Sequence, residues 1–260
     1  TPSKPAAQIA NMHTLFNVVT TLLLLPFGTL LAKLARKILP ELPAESEQER
    51  RLVYLKPLTG GKEYKIGSSA IVINGLWGEL TRMMGMVREN VDGSFDTLLT
   101  GQTSSLEQLE DREEYIDYLN KELASYISRA IAFESNQKDS AEISACFKIA
   151  SDLERIGDHA MNLCGYTQRM AEKKIRFSSA ELDEIRQMRQ TSLDALDLLS
   201  RTQFSAPDRL VKIGAIEQKI DDMTVQFRQN QLERMRQGSE NESSVLYSEL
   251  LTDFERIGDH

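Results

Sequence analysis

Eight acidic side chains recur in this sequence at a spacing suited to holding a cation. The segment Asp152-Leu-Glu-Arg-Ile-Gly-Asp-His159 returns as Asp253-Phe-Glu-Arg-Ile-Gly-Asp-His260, differing only by a Leu/Phe exchange. An earlier pair, Glu113-Glu-Tyr-Ile-Asp117 and Glu217-Gln-Lys-Ile-Asp221, repeats the Glu-x-x-x-Asp spacing. Internal repetition of this kind fixes architecture before any local reading. On a helix, residues four apart share a face, so each element points two carboxylates the same way. Two facing elements gather four carboxylates, which repel one another unless a cation lies between them. The expected metal ligands are therefore Glu113, Asp117, Glu154 and Asp158 in the first copy and Glu217, Asp221, Glu255 and Asp259 in the second.

Carboxylates on helices more often face solvent, and the helical register tests this. A 100° step per residue places Ile149, Leu153, Ile156, Ala160 and Leu163 on one apolar stripe. Lys148, Asp152, Arg155 and His159 form a solvated stripe, where His159 and its repeat His260 read as surface residues. Glu154 and Asp158 fall on neither, among Phe147, Ala150, Met161 and Gly165. Gly157 costs about 1 kcal/mol in a helix against Ala, so its return as Gly258 implies close approach of a neighbour. In the earlier elements, Ile116 and Ile220 centre apolar stripes and the carboxylates lie on one flank. All-oxygen ligation favours a hard ion such as magnesium, manganese, calcium or iron; zinc usually recruits His or Cys. The Glu-x-x-His template of di-iron bundles is absent. So are a nucleophile elbow, a phosphate loop and a Cys beside a His, and no enzymatic reaction is expected.

The elements that must carry these residues are helices throughout. From Ile71 onward the pattern predicts segments 71–100, 104–134, 139–174, 179–203, 207–236 and 242–260, with Ser105, Ser140, Ser179 and Asp208 as N-caps. No stretch alternates as a strand does. Six helices in two sets of three give a first repeat over 70–176 and a second over 177–260, the last helix cut short. Residues 40–69, with Pro40, Pro43, Pro57 and Gly60-Gly61, read as a linker. Residues 1–56 carry a net charge of +3 and the remainder −11. That acidic body excludes nucleic acid as a partner. Cys146 and Cys164, eighteen positions apart on one helix, lie roughly 27 Å apart and cannot pair with each other.

Leu15 to Ala32 is the most apolar stretch, and no Asp, Glu, Lys or Arg occurs between Lys4 and Lys33. A span takes roughly 17–25 apolar residues, so residues 1–39 are expected to hold a transmembrane helix. Asn11, His13 and Asn17 near its start are candidate transport-path residues. Lys33, Arg36 and Lys37 after it place the remainder in the cytoplasm by the positive-inside tendency. The start at Thr1 and the end within a motif point to a piece of a longer chain.

Residues 70–260 resemble the PhoU domain, whose three-helix repeats carry paired E(D)xxxD elements. The match rests on Glu113/Asp117, Glu217/Asp221 and the two Glu-Arg-Ile-Gly-Asp-His segments. Ile9 to Asn17 and the Leu-rich run after it resemble the final transmembrane segment of bacterial sodium/phosphate cotransporters. Together these imply an all-α chain: one N-terminal transmembrane helix, then two PhoU-like three-helix bundles, the second truncated. They further imply the C-terminal part of a sodium-dependent phosphate symporter of the bacterial inner membrane, with sodium and inorganic phosphate as its ions. A membrane-anchored phosphate-signalling adaptor that moves nothing is the alternative. Regulatory protein partners, a homo-oligomer and a divalent or multinuclear metal (iron, manganese, magnesium or zinc) complete what the resemblance implies.

Overall fold

The computed structural model describes residues 5–24, 50–56, 68–200, 206–237 and 242–260. The chain divides into two units, residues 1–49 and 50–260.

In the first unit, α1 spans Pro5–Leu24. Polar residues punctuate it (Gln8, Asn11, His13, Thr14, Asn17, Thr20 and Thr21), diluting its apolar character below what a lipid-facing span needs. Among the described residues no helix is long and apolar enough to cross a membrane. The expected transmembrane helix is corrected accordingly for α1; residues 25–32 of the anticipated span lie outside the described residues. His13 and Asn17 are exposed on α1, and Asn11 lies on the same helix.

The second unit is helical as the sequence predicts. Six helices follow: α2 (Ser68–Thr100), α3 (Leu106–Phe133), α4 (Gln137–Lys173), α5 (Ser179–Ser200), α6 (Ala206–Arg236) and α7 (Glu242–Asp259). Helices α2, α3 and α4 pack together, as do α5, α6 and α7, and the two sets join through α2 against α5 and α4 against α7. Helix starts depart from expectation where a neighbour caps better. Asn136, rather than Ser140, caps α4 by accepting from the Lys138 N–H at 3.0 Å. Ser178 and Glu181 form a reciprocal capping box at α5: the Ser178 N–H donates to Glu181 Oε2 at 2.8 Å and the Glu181 N–H to Ser178 Oγ at 3.3 Å. Ser105 is the N-cap of α3, as expected, and Asp208 lies in the first turn of α6. Both cysteines are buried and unpaired.

Part of the connector belongs to this unit. Leu55 is buried in the core, and the backbone N–H groups of Val53 and Tyr54 donate to the fully buried Glu79 of α2, the latter at 2.7 Å. Arg82 pairs with the same carboxylate at 2.7 Å. Gly75 and Gly78 make room for this strap. A Cβ on Gly75 would fall 2.9 Å from the Tyr54 carbonyl oxygen, and one on Gly78 2.7 Å from Tyr54 Cγ.

Each repeat is organised by one crossing. Ile116, fully buried on α3, lies over Gly157 of α4; Ile220, buried on α6, lies over Gly258 of α7. The fit differs between the copies. A Cβ added to Gly157 would meet Ile116 Cγ2 at an ordinary 3.7 Å, whereas one added to Gly258 would meet Ile220 Cγ2 at 2.8 Å. The two Gly→Ala substitutions therefore have opposite signs. Gly157→Ala gains about 1 kcal/mol of helix propensity. Gly258→Ala loses about 1 kcal/mol net, overpacking of about 2 kcal/mol outweighing the same gain. Urea denaturation of the two variants measures this, and equal shifts would contradict the difference between the crossings.

Candidate functional site

The crossing of α3 and α4 carries the first carboxylate set. Glu113 and Asp117 flank Ile116 on α3; Asp158 follows Gly157 on α4, and Glu154 lies one turn earlier. Glu113, Asp117 and Glu154 are half-buried and Asp158 is exposed. Their electrostatics show that they share one field. Burial, then the charges of Asp158, Asp117, Glu114 and Glu154, hold the Glu113 carboxyl above its ordinary range. Burial, then Asp158 and Asp117, raises Glu154 against the opposing pull of Arg155 and Lys121. Asp158 is also raised by burial, with Asp117 adding to it and His159 opposing. Lys121 Nζ meets Asp117 at 2.5 Å. The positive charge nearby is too little to cancel the mutual repulsion.

This is the electrostatic condition a cation relieves, and all-carboxylate chemistry fits a hard divalent ion. Coordination geometry is not preassembled: among the described residues, no three His, Cys, Asp or Glu side chains converge closely enough to hold a metal. The first set thus fits such an ion in charge and ligand type, and side-chain rotation must complete the shell.

The second set is placed alike and neutralised differently. Glu217, Asp221 and Asp259 are exposed and Glu255 half-buried. Arg228 on α6 pairs with Glu255 at 2.7 Å, and Arg256 approaches Asp259 at 3.7 Å. In the register that matches Glu113 with Glu217, Arg228 stands where the first repeat has Ala124, and Val225 where it has Lys121. A fixed guanidinium occupies the electrostatic role that the first repeat leaves open, so these four residues fit a metal less well.

One group at this junction escaped sequence reading. Asp253, buried on α7, accepts from His159 Nδ1 at 2.8 Å, from Asn162 Nδ2 at 2.9 Å and from the Tyr166 hydroxyl, all on α4. This clasp joins the two repeats and takes His159 off the expected solvated stripe. His159 and His260 stack with ring centres 5.7 Å apart. Burial, then His159 and Arg155, holds the His260 imidazole below its usual range, while Asp152 and Asp259 act the other way. A sequence signal for the clasp existed: Asp253 falls in the spacing Leu246, Leu250, Asp253, Ile257, a helical core stripe whose other members are buried. A second buried carboxylate, Glu184 of α5, accepts from Arg234 Nη2 at 2.9 Å, from Asn230 at 2.7 Å and from the Tyr247 hydroxyl, bracing the second repeat.

With helices, crossings and carboxylates in place, the comparisons with known proteins are informative. Residues 80–167 match the family model described as the PhoU domain. The Thermotoga maritima protein called phosphate-specific transport system accessory protein PhoU homolog 1 is 27% identical over 185 residues, 70% of this chain and 79% of that protein. A Clostridium acetobutylicum protein with the corresponding accessory-protein name is 28% identical over 126 residues, 46% of this chain and 58% of its own length. The crystal structure of PhoU from Pseudomonas aeruginosa superposes with a TM-score of 0.67 at 20% identity, covering 75% of this chain and 93% of that one. The phosphate transport system regulatory protein PhoU from Streptococcus pneumoniae gives 0.65 at 18% identity, covering 74% and 90%. The fold is PhoU-like.

These relatives overturn the expectation of a sodium-dependent phosphate symporter fragment. The Thermotoga maritima relative is named as a transport system accessory protein, and the Streptococcus pneumoniae structure as a transport system regulatory protein. The transport role expected of Asn11, His13 and Asn17, and sodium as the coupled ion, fall with it. The membrane-anchored alternative has no anchor among the described residues. Absence of enzymatic activity agrees with the relatives' names.

Removing the clasp tests its structural weight. Asp253→Ala leaves three donors on α4 without their acceptor and lowers stability by about 1–3 kcal/mol. Chemical denaturation measures it; a loss within a few tenths of a kcal/mol would mean the repeats are held by apolar packing alone.

Proposed function

We propose that this chain is a PhoU-type accessory protein that regulates a phosphate transport system and does not itself carry phosphate. The observation that supports this most directly is the extent of the fold likeness: two three-helix repeats in the PhoU arrangement, covering nine-tenths or more of two PhoU structures. The expected outcome is that cells lacking the chain take up radiolabelled phosphate without normal restraint when phosphate is plentiful. Unaltered uptake, or phosphate movement by the purified chain alone in vesicles, would overturn the reading.

Within that role, Glu113, Asp117, Glu154 and Asp158 form a site for a hard divalent ion, manganese or magnesium before zinc. A bound cation supplies the counter-charge that Lys121 and Arg155 leave incomplete. Glu217, Asp221, Glu255 and Asp259 are secondary, since Arg228 already offsets Glu255.

Two linked measurements test the site. Raised carboxyl pKa values in Glu113, Glu154 and Asp158 mean that the folded state binds protons more tightly than the unfolded state. Their contribution to stability is therefore full below the ordinary carboxylate range and is lost as pH rises through the raised values. In chelator, the melting temperature falls across that window, and Glu113→Gln flattens the fall. Manganese at about 100 times its Kd adds about 2.7 kcal/mol to the wild type. Glu113→Gln with Glu154→Gln weakens manganese binding at least tenfold, read by elemental analysis after dialysis. Unchanged metal content in that variant would remove these residues from the ligand set.

A further inference from the structure

Beyond the carboxylate set, contact of α4 with α7 opens a groove of about 700 Å³ between the repeats. Its lining includes Arg155 and His159 from the first copy of the motif and Arg256 and His260 from the second. Four residues of one repeated sequence thus converge, although each helix presents only two. Neither guanidinium is strongly engaged. Arg155 is exposed, and no ion pair or hydrogen bond to it is seen among the described residues; Arg256 is exposed and reaches only Asp259, at 3.7 Å. Two weakly engaged guanidiniums thus line one cleft, and planar guanidinium forks suit the oxygens of a tetrahedral oxyanion.

The same groove also contains acceptors. Glu113 and Asp158 line it. Acceptors would merely weaken a site for a fully deprotonated anion. They suit an oxyanion that still carries an O–H at neutral pH, because its proton needs a partner while its remaining oxygens take the guanidiniums. Inorganic phosphate has that hydrogen and sulfate does not. A site that hydrogen-bonds a ligand O–H rejects the analogue lacking it, since the site's own polar group is left unpaired.

We propose that the groove between the two repeats binds protonated inorganic phosphate, with Arg155 and Arg256 as paired donors and Asp158 and Glu113 as the acceptors that select it over sulfate. Only the choice of phosphate rests on the regulatory reading above; the donors and acceptors do not depend on a metal.

Isothermal titration of the whole chain with inorganic phosphate, and separately with sulfate, in chelator and again with manganese, tests this. The wild type is expected to bind phosphate at least tenfold more tightly than sulfate. Arg155→Gln with Arg256→Gln should weaken phosphate in chelator at least tenfold while leaving the helical content by circular dichroism unchanged; Arg155→Lys with Arg256→Lys should recover part of the affinity. Phosphate binding with no manganese uptake would support the groove and sink the metal reading. No phosphate binding under either condition, equal affinity for sulfate, or unchanged affinity in the double glutamine variant would overturn the proposal.

Discussion

The seating of one isoleucine on one glycine sets the geometry of each repeat. Ile116 rests over Gly157 at ordinary contact distance, and Ile220 lies over Gly258 so closely that a Cβ there would fall 2.8 Å from it. The Glu-x-x-x-Asp elements are wrapped around those contacts. Glu113 and Asp117 stand on either side of Ile116 in sequence, and Asp158 follows Gly157 directly. Register is therefore not free: sliding one helix by a turn would withdraw the isoleucine from its seat and separate the carboxylates together. Burial of the Ile side chain favours the seat by about 1.5–3 kcal/mol, against about 1 kcal/mol for glycine in a helix. The apolar term wins, and the acidic groups are brought together as a consequence of packing rather than by attraction.

Repulsion among those groups then becomes a property the chain must resolve, and the two repeats resolve it differently. In the second, Arg228 supplies a permanent cation at Glu255, 2.7 Å away. In the first, the equivalent position is Ala124, Lys121 reaches Asp117 from an exposed position, and three carboxyls remain raised in pKa. Duplicated architecture thus carries unequal electrostatics: in the second copy Glu255 and Asp259 have arginine partners, and in the first the acidic charges remain less compensated. An exposed Lys pair contributes little, about 0–1 kcal/mol, so a divalent ion competes readily for Asp117.

Much of this was legible before the coordinates, and the exceptions have physical causes. Helix positions followed from apolar periodicity because all six helices of the second unit bury one stripe. The repeat spacing located the eight carboxylates because a helix converts a spacing of four into a shared face. Gly157 and Gly258 were recognised as close approaches, although only Gly258 is tight. Asn136 displaced Ser140 as a cap since local side-chain geometry, not residue type alone, decides which oxygen reaches an N–H. Asp253 was missed because an acid inside an apolar stripe is read as an interruption unless its donors, here His159, Asn162 and Tyr166 on another helix, can be seen. For the Leu-rich N-terminal stretch, apolar composition suggested a span, whereas α1 carries seven polar residues over Pro5–Leu24 and residues 25–32 lie outside the described residues.

Asp158 and Glu113 belong at once to the carboxylate set and to the lining of the groove, which gives the two proposed ligands a physical means of influencing each other. Oxygens committed to a divalent ion are no longer available as acceptors for a phosphate hydroxyl, yet the ion's charge draws the remaining phosphate oxygens closer. The sign of coupling is set by which effect is larger. At a separation of about 4 Å, unit charges interact by about 4 kcal/mol in a partly buried environment, against about 1.5–3 kcal/mol for a hydrogen bond to a charged group. Attraction prevails unless solvent screens it heavily, so cation and anion strengthen each other's binding by the same factor, as linkage requires. Asp253 holds the α4–α7 junction that the groove lies across, so tightening there would stiffen one of the two contacts between the repeats.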